Sequence, residues 1–135
     1  MGHLTAELTD LLRSGVRLDF SDARGPIFRV DKTLRSRVDA LLAPACRSET
    51  QAVLQRMTAY RDALLVMFSF ITLEATRTVV PLEALEQWRA AYQQEIRLTD
   101  DLGTDLSDAL RAQVALDYRH TTGLCPLCGN EEHAR

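Results

Sequence analysis

The sequence predicts an all-α fold: a bundle of about five helices with a long central apolar helix and a short C-terminal CxxC knuckle. Three observations predict it. Beyond residue 30, apolar side chains recur almost everywhere with the 3.6-residue period of a helix. The punctuating residues Gly15, Pro44, Pro81 and Gly103 fall between those runs and leave only short connections. The final segment, HTTGLCPLCGNEEHAR, holds two of the 3 cysteines.

Leu4, Leu8, Leu11 and Leu12 share one face of a first helix that Thr5 or a neighbour can start and Gly15 stops. Asp19, Ser21, Asp22, Gly25 and Pro26 surround Leu18 and Phe20, which suits an ordered loop or a short extended piece; no sheet is assigned. Asp31 can cap a second helix with Leu34, Val38, Leu41 and Leu42 in a stripe, ended by Pro44. The third helix opens on SETQ, where Ser48 and Gln51 have capping-box spacing. Its apolar set becomes nearly all-round after Asp62, in the run ALLVMFSFITL between Ala63 and Leu73. Unbroken over 48–77, it would be about 45 Å long at 1.5 Å per residue. A helix of that kind bends or is covered by a second subunit, so a homodimer through this helix is expected. Pro81 suits the first turn of a fourth helix, with Leu82, Leu85, Trp88, Tyr92 and Ile96 inward and Glu83, Glu86, Arg89 and Gln93 outward. Gly103 closes it, and a fifth helix capped by Thr104 or Ser107 runs to about Tyr118, with Leu106, Leu110, Val114 and Tyr118 or Leu116 inward.

At 135 residues, with 46% hydrophobic and 26% charged residues, the chain has the balance of one compact domain, read as a helical bundle over 1–119 and a metal-knuckle tail over 120–135. The N-terminal segment is amphipathic and carries Glu7 and Asp10, so no export signal is indicated; the run at 63–73 is about half a bilayer span. Three cysteines without an export signal fit a reducing cytoplasm, where CxxC is more often metal-binding or redox-active than a structural disulfide. Lys32 is the only lysine among 16 basic residues, which fits coding bias in a GC-rich bacterial genome.

The tail reads His120-x4-Cys125-x2-Cys128-x4-His133. Two thiolates in a tight turn can grip one zinc ion, Pro126 and Gly129 supply turn chemistry, and His120 and His133 offer the two further ligands of a tetrahedral site; Cys46 or His3 could replace one. Metal would supply the ordering energy that a short tail lacks. The competing use of the same thiols is redox cycling, although most CPxC redox motifs lie between a strand and a helix. A second constellation is basic: Arg29, Lys32, Arg35 and Arg37, near Arg24, could contact nucleic-acid phosphates. Residues 1–48 carry eight basic and six acidic side chains and residues 81–108 two and seven, so the alternative is a basic face paired with the acidic segment of its own or another subunit. The formal charge of -3 argues against a surface built wholly for nucleic acid or anionic lipid. No phosphate loop, dinucleotide turn, nucleophile elbow, HExxH helix or Glu-x-x-His pair is present, so nothing outside the CxxC points to catalysis. The expectation is a non-enzymatic partner-binding or regulatory module with a zinc knuckle, with a thiol redox protein and a nucleic-acid-binding regulator as alternatives.

Overall fold

The computed structural model describes residues 2–76 and 79–129. Among these the chain is mostly helical, with five helices and one small sheet: α1 (Gly2–Arg13), β1 (Arg17–Asp19), β2 (Ile27–Arg29), α2 (Arg35–Leu42), α3 (Arg47–Thr76), α4 (Leu82–Leu102) and α5 (Thr104–Thr122). Helices α3, α4 and α5 pack on one another, α1 lies on α5 and α2 on α3. The core they enclose is apolar, with Leu8, Leu11, Met57, Leu64, Leu106 and Leu110 almost wholly shielded from water. No helix among the described residues is long and apolar enough to cross a membrane.

The segment expected as an ordered loop or a short extended piece, with no sheet assigned, in fact forms a two-stranded sheet. Arg17 pairs with Arg29, Leu18 with Phe28 and Asp19 with Ile27, antiparallel. Strands of three residues are too short for an alternating pattern to be read, and an isolated hairpin is marginal in water. A helix side chain stabilises this one. The Gln113 amide oxygen accepts the Leu18 N–H at 3.0 Å, and its amide nitrogen donates to the Leu18 carbonyl at 2.7 Å. Backbone groups of successive strand residues point to opposite edges; Leu18 turns its pair away from β2, and Gln113 occupies the place of a third strand. Beside it, Arg17 pairs with Asp117 of α5. At the hairpin tip, Asp22 accepts the Arg24 N–H at 2.8 Å, which shapes the turn into Gly25.

Several expected caps fall elsewhere. Asp31 accepts the Thr33 N–H and hydroxyl at 3.1 and 2.6 Å, closing a turn before α2, whose N-cap is Leu34 with no side-chain bond. Helix α3 opens one residue before Ser48, because the turn after Ala43 leads straight into it. The polar side chain that matters there is Thr50, fully buried, which donates to the Leu41 carbonyl at 2.8 Å and satisfies the end of α2. Helix α5 starts from Gly103, not from a Thr104 or Ser107 cap, and runs on to Thr122. Tyr118, rather than Leu116, takes the inward position.

The largest departure is α4. Leu82, Leu85, Tyr92 and Ile96 are exposed and Trp88 is half-buried, while Ala91, Leu98 and Leu102 face the core. The inward side of α4 thus carries Ala84 and Ala91 beside Leu98 and Leu102, and the other large side chains lie on the flank. In the run from Ala63 to Leu73, burial is also uneven: Ala63, Leu64 and Phe68 are buried, whereas Val66 and Ser69 are exposed.

Replacing Gln113 with Leu strands a buried N–H and a buried C=O, each costing about 1–3 kcal/mol. Chemical denaturation of Gln113→Leu is expected to show a loss of about 3 kcal/mol; a loss below about 1 kcal/mol would mean that water replaces the amide.

Candidate functional site

Helix α5 ends at Gly123, whose left-handed φ of 72° lets its N–H reach the Arg119 carbonyl. The chain then turns back along α3. Thr122 accepts the Leu124 N–H at 3.1 Å, Leu124 packs against the core, and Pro126 is fully buried. This places Cys125 in the interior, 3% exposed, and leaves Cys128 half-buried.

The two cysteines converge. The Leu127 N–H donates to the Cys125 sulfur at 3.4 Å, and the Cys128 N–H and thiol lie close enough to favour its thiolate. Burial pushes the Cys125 thiol up; the Leu127 and Cys128 N–H groups, the Cys128 thiol and the Arg119 charge outweigh it, so the net shift is down. The Arg119 Nε is buried with no hydrogen-bond partner among the described residues. Gly129 completes the turn: its N–H donates to the Cys125 carbonyl at 2.8 Å, at a φ of 75°. It also presses on α3, where an added Cβ would lie 2.9 Å from the Thr72 Cα and 3.0 Å from the Ile71 carbonyl oxygen. Next to this contact the Thr72 and Tyr118 hydroxyls meet at 2.7 Å, and Tyr118 packs on Phe68 with ring centroids 5.4 Å apart.

The structure brings Cys125 and Cys128 together and does not gather His120 with them. Because α5 continues past Tyr118, His120 stands exposed on its last turn and lines a separate cleft of about 610 Å³. Among the described residues no group of three or more His, Cys, Asp or Glu side chains is placed to hold a metal ion. His133 lies outside the described residues. Cys46 is exposed just before α3, whereas the Gly129 contact is at Thr72, about 38 Å further along that helix at 1.5 Å per residue. It cannot complete the site within one chain.

The cleft beside His120 is walled by Arg17, Arg29, Arg61, Asp19 and Asp117. Its cations are largely matched: Arg17 pairs with Asp117, and Arg29 with Asp19 at 2.8 Å, while Arg61 lies 5.0 Å over the Phe20 ring. Bonds from the Ser21 hydroxyl and N–H, with Arg29, hold the Asp19 carboxyl well below the usual carboxylate range. Of the four basic candidates, Arg29 is thus engaged and Arg37 is held by Glu7 at 2.8 Å and Asp10 at 2.6 Å. Lys32 and Arg35 are exposed.

Arg119, Gln113 and the contact of Gly129 with α3 were not legible as site features. Arg119 six residues before a CxxC is an ordinary helix-end cation, and only the fold puts its charge near the thiol. No protein-family model, curated protein or solved structure matches this chain.

Gly129→Ala combines a left-handed backbone with a collision against α3 backbone, strain of order 1–3 kcal/mol. Each 1.4 kcal/mol taken from the opening free energy is about tenfold in exposure. Alkylation of Cys125 in chelator-treated protein is therefore expected to accelerate about tenfold or more; an unchanged rate would show that the turn is not held by that contact.

Proposed function

We propose that this chain is a non-enzymatic helical module for binding a protein partner, and that its C-terminal turn is a structural zinc knuckle. The observation that carries the reading is the Cys125–Gly129 turn: the Leu127 N–H donates to the Cys125 sulfur, the Cys128 N–H lies near enough to favour its thiolate, and left-handed Gly129 follows directly after Cys128. Thiolates are the metal-binding form, and N–H donors stabilise them. Residues 126–128 form a turn, and Gly129 has a left-handed φ, whereas a redox CxxC usually opens a helix. The described residues fit half a tetrahedral site, two sulfurs. His120, after a change of rotamer or of the last turn, and His133 are the ligands proposed for the other half. Zinc would add to the Gly129 contact a second tether of the tail to the bundle. A second copy of the chain is the proposed partner, the face of α3 between Ala63 and Leu73 being the surface expected from the sequence. A cytoplasmic setting belongs to the same reading.

One observation favours a second use of the thiols. The free Cys128 thiol close to the Cys125 sulfur, with the Arg119 charge favouring the thiolate, suits a cycle in which Cys125 attacks a disulfide substrate and Cys128 resolves the mixed disulfide. Both substrate sulfurs would leave as thiols, and a Cys125–Cys128 disulfide would remain.

Metal analysis separates the two. Protein purified without chelator is expected to carry about one zinc per chain, lost in Cys125→Ser and in Cys128→Ser and reduced in His120→Ala. Protein that takes up no zinc when it is offered, but forms a reversible disulfide with its fold intact, would overturn the metal reading in favour of the redox one.

A further inference from the structure

We propose that the exposed apolar flank of α4 is a self-association surface on which a second copy lays its own α4 antiparallel. The proposal rests on the dimer in the reading above but places it on a different face. Leu82, Leu85, Tyr92 and Ile96 are 69%, 37%, 43% and 46% exposed. At 100° per residue the last three lie within about 40° of one another and Leu82 follows closely, forming one stripe across four turns of helix. Trp88 supports it from the core side, stacked on Tyr92 at 5.3 Å and against Phe70 at 5.6 Å, so the stripe is a braced surface.

The charges around the stripe identify the occupant. Pairing α4 with itself antiparallel about a twofold axis between Ala90 and Ala91 sets Leu85 of one copy opposite Ile96 of the other, and Arg89 opposite Tyr92, where a guanidinium can lie on the ring. On the outer flank, Arg97 of one copy falls beside Glu83 and Glu86 of the other, twice by symmetry. Asp100 comes level with Pro81 at the N-terminus of the opposing α4, where unpaired N–H groups favour an anion. A parallel twofold would carry this flank to the other side of the pair and leave Arg97 of one copy away from Glu83 and Glu86 of the other. The α3 groove with exposed Val66 opens beside Gln87, on the opposite flank of α4, so the two candidate faces are separable by mutation.

Sedimentation equilibrium over a range of concentrations tests this on the full chain. The wild type is expected to dimerise, and Leu85→Glu and Tyr92→Glu each to raise the dissociation constant about a hundredfold by burying an unpaired charge, with far-UV circular dichroism unchanged because both sites are exposed in the single chain. Arg97→Glu is expected to weaken the dimer, and adding Glu83→Arg and Glu86→Arg to restore it. Failure of that rescue would overturn the antiparallel register. A dimer broken by Val66→Glu but not by the α4 variants would overturn the α4 surface while leaving self-association standing, and a wild type that stays monomeric would overturn both.

Discussion

The amide of Gln113 is the contact on which the arrangement around α5 depends. One buried side chain satisfies both backbone groups of Leu18, so a hairpin too small to stand alone is attached to a helix as if to a third strand. The hairpin then covers part of α5 and walls the cleft that His120 faces. Leu106, Leu110 and Val114, on the same helix, face the α3 core. The register of α5 is thereby fixed by polar contacts on one side and apolar ones on the other, and the tail that follows starts from a defined place.

From there the geometry of the cysteine turn follows from two left-handed glycines with different jobs. Gly123 ends α5 and reverses the chain; Gly129 lets the returning chain touch the α3 backbone. Between them Cys125 is buried and supplied with N–H donors, while Leu127 points to solvent at the tip. The chemistry of the pair therefore belongs to the bundle as much as to the five-residue motif, since Arg119 and the α3 surface set the charge and burial that Cys125 meets.

The number, order and approximate bounds of the helices were legible in the sequence, because the 3.6-residue period and the breaks at Gly15, Pro44, Pro81 and Gly103 are local signals. The inward stripe of α5 and the end of α2 were legible for the same reason. What local pattern could not give was orientation where two apolar faces compete. On α4 the larger side chains defined the stripe that periodicity selects, yet the core took Ala91, Leu98 and Leu102. The hairpin was hidden by its brevity and by a partner, Gln113, 95 residues away in sequence. At the candidate site the CxxC was visible as spacing, and its burial, its donors and the diversion of His120 to the cleft were tertiary facts.

Gly103 is the whole corner between α4 and α5: α4 ends at Leu102, α5 begins at Thr104, and the one residue between them has φ 86° and ψ 152°. A residue added within α5 before Leu110 would rotate the rest of that helix by about 100°, taking Gln113 from Leu18 and Leu110 from the core. A one-residue joint leaves little loop in which to take up an extra residue without shifting the start of α5. The corner thus acts as a ruler with no slack, and changes in chain length can be absorbed at the hairpin tip around Asp22 and Gly25 but not here. Lineages of this protein should differ in length at that tip and keep a one-residue joint at Gly103.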